Sequence, residues 1–234
     1  MEIKKIITHP KVIFEDNHLL LINKPPSMPV VPDSSKDYSL LEWGKDYLKH
    51  SRNKHGNVFL AVIHRIDRPV SGLVCFATTS KAASRLSAQL REQRVKKQYL
   101  AISKERPDGF SGMIKNYLMK DRKRNLARIS AKGEAGSKYS VTKWQLLAYK
   151  QGFGGFLLKP VTGRPHQLRI HMAMLGCPIF GDFKYGSKEK FLEGRGIALH
   201  SYKITFSHPT KRDVVTFTAV PPDCAPFTLF DIQE

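Results

Sequence analysis

Ala61-Val62-Ile63-His64-Arg65-Ile66-Asp67-Arg68-Pro69-Val70-Ser71-Gly72 decides how this chain folds, because one apolar run, Val58 to Ile63, enters it and another, Leu73 to Ala77, leaves it. Both runs read as buried strands, and Pro69 and Gly72 mark a loop at their shared end. Loops of this kind, held by rigid strands, often carry catalytic groups. Asp67 stands in the loop between Arg65 and Arg68, and flanking guanidiniums favour a carboxylate in its anionic form. An anionic carboxylate can act as nucleophile or base. The alternative on spacing alone is that Asp67 caps a turn and pairs with Arg65 or Arg68.

Working outward, Lys11 to Phe14 and Leu19 to Asn23 flank Glu15-Asp16-Asn17-His18 and predict a β-hairpin. Pro25, Pro26, Pro29 and Pro32 impose an extended loop, and Ser39 predicts the N-cap of a short helix to about Tyr47, with Leu40, Leu41 and Trp43 available for burial. A helix over Ser80 to Arg94 is expected with Ser80 as cap and Ala83, Leu86 and Leu90 on one stripe. Gln98 to Ser103 reads as a strand containing Tyr99. Lys143 to Tyr149 and Gly155 to Lys159 read as paired strands around Gly152-Phe153-Gly154-Gly155, whose spacing fits a turn and no nucleotide fingerprint. Tyr202, Ile204 and Phe206, then Val215, Phe217 and Ala219, alternate about Ser207 to Arg212 as a late hairpin. Pro165 suits a first helical position, with Gly176 and Pro178 at the end, so His166 to Leu175 is expected to be helical. His166, Arg169 and Ala173 would share a face. The tally is strand-rich and without repeats, an α+β fold in one domain spanning residues 1–234.

Composition points to a polyanion. The 234 residues carry 39 Lys plus Arg against 20 Asp plus Glu, a formal net charge of +19. Neutralising nucleic-acid phosphates releases condensed counterions, so RNA is the natural partner of such a chain. A hydrophobic fraction of 41% excludes a disordered basic tail. Lys115 to Lys138 is the most basic stretch, with Lys120, Arg122, Lys123, Arg124 and Arg128 offset only by Asp121 and Glu134. It reads as an RNA-gripping hairpin, or as a solvated charged face. No apolar stretch approaches a bilayer span and no secretory leader is recognisable, so no membrane role is expected. Cys75, Cys177 and Cys224 are widely spaced and odd in number, which fits neither a disulfide framework nor a thiolate zinc site and suits a reducing cytoplasm. His166 and His171 would lie about 140° apart around a helix, too far to share one ion. Neither metal nor cofactor is expected.

A second segment gives the Asp67 loop its meaning: Val161-Thr162-Gly163-Arg164-Pro165-His166-Gln167-Leu168-Arg169-Ile170-His171, continuing through Gly176-Cys177-Pro178-Ile179-Phe180-Gly181-Asp182 to Tyr185-Gly186. With His64 to Gly72, with Glu15 to Pro25, and with Leu199-His200 followed by Ser207-His208-Pro209, it resembles the RluA-type pseudouridine synthases over nearly the whole chain. Ile66 stands where that family usually has Leu, and Val70 where it often has Thr. The resemblance implies a mixed, mainly antiparallel sheet with flanking helices and a central cleft. It also implies isomerisation of a uridine in rRNA or tRNA to pseudouridine, without cofactor or metal and without an obligate protein partner. By that resemblance Asp67 is the catalytic aspartate, Arg169 its basic partner and Tyr99 the ring that packs on the target base. Arg65 would fill the gap left by the flipped uridine. Arg68, Arg164, His166, Lys120, Arg122, Lys123 and Arg124 would contact RNA, and Ile170 could add to the pocket wall. The core motifs begin by Val12, so no preceding S4-type RNA-binding module is expected, and target choice would fall to the catalytic domain. A non-catalytic RNA-binding protein and a metal-dependent nuclease are the competing classes.

Overall fold

The computed structural model describes residues 9–121 and 124–230. In chain order its elements begin with β1 (Lys11–Glu15), β2 (Leu19–Lys24), α1 (Leu40–Ser51), β3 (Ala61–Val62), β4 (Ser71–Ala77) and α2 (Ser80–Arg91). They continue with β5 (Lys96–Ser103), β6 (Ser111–Asp121), β7 (Leu126–Ser130), β8 (Lys138–Lys150), β9 (Phe153–Pro160), α3 (Gln167–Met174), β10 (Leu199–Ser207) and β11 (Val214–Thr218). Two compact units emerge, one from the described residues of Met1–Val95 and His200–Pro222, the other from those of Lys96–Leu199 and Asp223–Glu234.

In the first unit the strands run β1-β2-β4-β10, with β11 on β10 and β3 on β4. Only β4 and β10 are parallel here; the other pairings are antiparallel. The continuous apolar run Leu19-Leu20-Leu21-Ile22 is explained by burial on both faces of the sheet. Leu19 and Leu21 join Leu73, Cys75, Ala77, Ile204 and Phe206 against Ala82 and Leu86 of α2. Leu20 and Ile22 face Gly44 of α1, where an added Cβ would come within 2.8 Å of Leu60 and 3.6 Å of each of them. Each such leucine, fully removed from water, contributes about 2 kcal/mol. The turn between β1 and β2 is closed by Asp16, whose Oδ1 accepts from the amides of His18 and Leu19, both at 2.8 Å, while Oδ2 accepts from His208 Nε2 at 2.9 Å.

Ser39 caps α1 through a complete capping box with Glu42, and the helix runs on to Ser51. The cap of α2 is Thr79 rather than Ser80: its backbone is extended and its hydroxyl accepts from Ala82 N at 3.3 Å. That helix ends at Arg91, with Gln93 at φ 56, three residues short of the expected Arg94. The strand expected over Val58 to Ile63 shrinks to Ala61–Val62 because Ala61 already pairs with Ala77, the last residue of β4, so Val58 to Leu60 run past its end. β4 pairs with β10 at Ser71 and Gly72 and with β3 at Phe76 and Ala77. Between them the Cys75 amide donates to Nε2 of His64 at 3.2 Å, so a side chain takes a ladder position.

The second unit orders its strands β5-β9-β8-β6-β7, all antiparallel. Its expected hairpins are present, with β6–β7 forming the basic one; Arg122 and Lys123 lie outside the described residues. Helix α3 starts at Gln167, with His166 as a left-handed cap residue at φ 53, so Pro165 precedes the cap instead of opening the helix. His166 therefore does not share the Arg169 face as helical spacing predicts. No helix among the described residues is long and apolar enough to cross a membrane.

Gly72 shows most directly why the sequence needs its residues here. Its φ is 113°, and a Cβ would sit 2.3 Å from the carbonyl oxygen of Ser201 on the parallel neighbour β10. Gly72→Ala is expected to destabilise the protein by at least about 3 kcal/mol, seen as a lower urea midpoint with the slope unchanged.

Candidate active site

The Asp67 loop rests on a lysine. Lys24 ends β2 fully buried, and its Nζ donates to the carbonyls of Pro25 at 2.8 Å, Met28 at 2.8 Å and Arg68 at 3.0 Å. Burial lowers its pKa to about 7; the Asp67 carboxylate opposes that fall and the Arg68 charge adds to it. Three carbonyl acceptors match the three donors of an ammonium, which favours the charged form. The residue after Asp67 is thus tied by its main chain to a buried cation, and Val70 N closes the turn on Asp67 O at 3.0 Å. Arg68 sends its guanidinium outward, to Ser35 Oγ at 2.9 Å and to the carboxylates of Asp37 and Asp33. Arg65 is exposed and makes no ion pair among the described residues.

Past the loop, Ser71 donates to His200 Nδ1 at 2.9 Å, and His200 Nε2 donates to Ala219 O at 3.0 Å. The carbonyl can only accept, which fixes the tautomer and makes Ser71 the donor. Burial pushes the pKa of His200 down to about 4, so it is neutral and structural.

In the second unit, Gln167 locks the Gly163-Arg164-Pro165 turn. Its Oε1 accepts from Thr162 Oγ1 at 2.7 Å and Arg164 N at 3.0 Å, and its Nε2 donates to Val141 O and Thr142 Oγ1, both at 2.9 Å. His171 bonds Thr142 Oγ1 at 2.8 Å, Asn116 Oδ1 at 2.9 Å and Ser140 Oγ at 3.1 Å, with its pKa lowered to about 4 by burial. These contacts seat α3 on the sheet. They aim Arg169 at Asp182, which it grips bidentately, Nε to Oδ2 at 2.6 Å and Nη2 to Oδ1 at 2.7 Å, both side chains at most 4% exposed. Its guanidinium also lies 5.1 Å from the centroid of the Tyr185 ring. Tyr185 Oη meets His166 Nδ1 at 2.9 Å and the Ala127 amide at 2.7 Å, joining this network to β7.

Tyr99 is 7% exposed on β5, opposite Leu158 of β9. Lys97 shares its face; burial lowers its pKa, and its Nζ would lie 3.6 Å from a Cβ at Gly163. Arg164 donates from Nε to Tyr139 O at 2.9 Å. Lys120 and Arg124 are exposed on the basic hairpin, where the Arg124 amide donates to Asp121 at 3.0 Å. Ile170 is buried within α3. Sequence reasoning gave Lys24, Gln167, Asp182 and Tyr185 no role, although all four stand inside the quoted motifs. The signal available for Lys24 was a lysine ending an otherwise apolar run. For Asp182 it was a left-handed glycine, Gly181 at φ 88, directly before a carboxylate. No cluster of three or more His, Cys, Asp or Glu among the described residues is arranged to hold a metal ion.

The model of the RNA pseudouridylate synthase family matches residues 18–174, which include Asp67, Tyr99 and Arg169. The chain belongs to that family. It is 37% identical to the ribosomal large subunit pseudouridine synthase C of Rickettsia prowazekii, with 87% of this chain and 65% of that protein aligned. It thus spans just under two thirds of the length of that relative. It is 32% identical to the dual-specificity RNA pseudouridine synthase RluA of Escherichia coli K12, over 89% of this chain and 91% of that one. Among solved structures, human RNA pseudouridylate synthase domain containing 4 superposes with a TM-score of 0.75 at 21% identity, covering 91% of this chain and 88% of that one. Human RNA pseudouridylate synthase domain containing 1 gives 0.70 at 24% identity, covering 94% and 86%. Both bear on the fold alone, and both agree with the α+β, mainly antiparallel architecture.

Asp182→Asn is expected to cost about 3–5 kcal/mol, since it neutralises the carboxylate that a buried guanidinium grips bidentately. The double variant Arg169→Met with Asp182→Leu is expected to recover part of that loss in chemical denaturation. His200, with its folded pKa depressed to about 4, contributes stability that is complete above about pH 6.5 and is lost as the pH falls through about 4. The melting temperature of the wild type should therefore drop between pH 6.5 and 4, and the drop should be shallower in His200→Gln.

Proposed function

We propose that this protein isomerises a uridine in rRNA or tRNA to pseudouridine, in the cytoplasm, with Asp67 as the catalytic carboxylate. The observation that carries the reading is the family match across residues 18–174, enclosing an aspartate loop whose main chain is anchored by a buried lysine. In the reaction the bond from C1′ to N1 of the uracil breaks, the base turns, and a bond from C1′ to C5 forms. The C5 proton is lost and N1 gains one, so nothing is oxidised or added. Asp67 either attacks the sugar at C1′ or removes a sugar proton, and both routes use the carboxylate as an anion. Tyr99 packs its ring on the turned-out base, Arg169 serves as the basic partner of the aspartate, and Arg65 replaces the stacking lost on flipping. Arg68, Arg164, His166 and the Lys120 to Arg124 hairpin tip contribute to RNA binding. The mixed pattern of the named relatives, one ribosomal and one dual-specificity, is the reason for proposing both RNA classes as substrates.

Mapping pseudouridine at nucleotide resolution on unmodified rRNA and tRNA, without added metal or cofactor, is expected to show a new site with wild-type protein. Asp67→Asn should lose at least about 100-fold in rate and bind the same RNA within about twofold. A fall in affinity matching the fall in rate, or RNA binding by the wild type with no new pseudouridine anywhere, would overturn the reading.

A further inference from the structure

The sheet of the second unit has a face that none of the site residues uses. Strand periodicity places Asn116, Ser140 and Thr142 on the side where they bond His171 of α3, so the intervening residues point the other way. On that opposite side Tyr117 of β6 stands directly across from Tyr139 of β8, and their ring centroids are 5.3 Å apart. Tyr139 is 43% exposed, and Met113 on the same face is 46% exposed. Lys115 lies two residues from Tyr117, and Lys143 of β8 pairs directly with Lys159 of β9. All three lysines are exposed, and none makes an ion pair among the described residues.

Like charges directly opposed in a sheet are destabilising, yet no carboxylate among the described residues forms an ion pair with Lys143 or Lys159. The acids nearest in sequence are committed elsewhere: Asp121 accepts from the Arg124 amide, and Glu134 is held by Arg128. Adjacent aromatic rings, one exposed and one half-buried, among exposed cations that make no ion pair with the described residues are what an unpaired polynucleotide recognises, stacking bases on the rings while its phosphates meet the lysines. A lipid surface would demand an amphipathic helix, and an acidic protein would leave the tyrosine pair without purpose.

We propose that the open sheet face formed by Lys115, Tyr117, Tyr139, Lys143 and Lys159 binds a single-stranded segment of the RNA substrate, outside the segment that presents the target uridine. The inference rests on the proposed RNA substrate and extends it by naming a second contact surface. The test is the affinity of the full chain for a uridine-rich 20-nucleotide single strand and for a 20-base-pair RNA duplex. It uses wild type, the triple variant Lys115→Gln, Lys143→Gln, Lys159→Gln, and Tyr139→Ala. The triple variant should bind the single strand at least about tenfold more weakly, with the slope of log affinity on log salt reduced by about 2. Tyr139→Ala should weaken it about tenfold without changing the slope, and Tyr139→Phe should restore it. Duplex binding should change far less in all of them. Matching thermal melts of the variants and wild type keep the comparison free of unfolding, since every altered residue is at the surface. Single-strand affinity equal to wild type in the triple variant, or equal losses for strand and duplex, overturns the proposal. Pseudouridine mapping on rRNA and tRNA with the same proteins separates the two readings. Modification by wild type with unchanged binding in the variants defeats only the sheet face. Lysine-dependent single-strand binding without any pseudouridine defeats only the catalytic assignment.

Discussion

The ammonium of Lys24 is placed where water cannot reach it, and all three of its donors end on main-chain carbonyls, one of them belonging to the residue after Asp67. Taking a lysine out of water is costly unless its hydrogen bonds are replaced. The replacements available come from the proline-rich loop after β2 and from the Asp67 loop, so the cation draws these two segments onto one point. Their conformations become a condition of burying it. The tight approach at Gly72 acts on the other end of the same loop. There β10 passes so close to β4 that only a glycine fits, and His200 on β10 then holds Ser71. A loop of a few residues pinned at both ends is a rigid platform for a side chain, which is what a reacting carboxylate requires.

The second unit solves the same problem with a different set of interactions. Here a neutral network positions a charged one. Gln167 and His171 spend their polar atoms on β8 and on the turn before α3, and the helix orientation they impose delivers Arg169 to Asp182. A bidentate carboxylate fixes both the direction and the roll of a guanidinium, which a single ammonium contact does not. The Tyr185 ring beneath it and the Tyr185 hydroxyl on His166 carry that order outward to β7. The left-handed backbone at His166 belongs to this arrangement: a residue that leaves the helical path there lets the imidazole reach Tyr185 instead of lying along α3.

Much of this was legible in the residues, for reasons that differ by element. The hairpins were legible because period-two alternation and polar turns are local signals, and α1 because a capping serine, Ser39, directly precedes the apolar positions Leu40, Leu41 and Trp43. The cap of α2 was misplaced by one residue because Thr79 and Ser80 both carry a hydroxyl and only backbone conformation separates them. The short β3 could not be seen from Val58 to Ile63 at all. Its length is set by where its partner ends, since Ala61 already pairs with Ala77 at the end of β4, and nothing within Val58 to Ile63 encodes that limit. Pro165 was misread for a related reason: a proline before a left-handed cap and a proline opening a helix look alike until the tertiary partner of His166 is known. Within the site, the motif residues were recognisable while their partners were not. Asp182 and Lys24 act through pairings that sequence adjacency does not encode.

The net charge of +19 also divides between cations held by a carboxylate and cations with none among the described residues. Arginines recur in the internal pairs: Arg52 with Glu15, Arg68 with Asp33 and Asp37, Arg128 with Glu134, and Arg169 with Asp182. A planar fork suits that work, because it orders a carboxylate while losing little of its own freedom. The lysines of the open sheet face have no such partner among the described residues, and a compact, well-hydrated ammonium on a flexible stem is suited to a phosphate whose position varies. Arginines that already have a carboxylate would release few counterions on the proposed RNA, since their charge is neutralised beforehand. The salt dependence of that binding would then fall on the cations without a carboxylate, Lys115, Lys143 and Lys159 among them. Under the proposed function the same chain would in this way hold a fixed geometry around Asp67 and a tolerant grip on the polynucleotide that carries its target, because different basic residues do the two tasks.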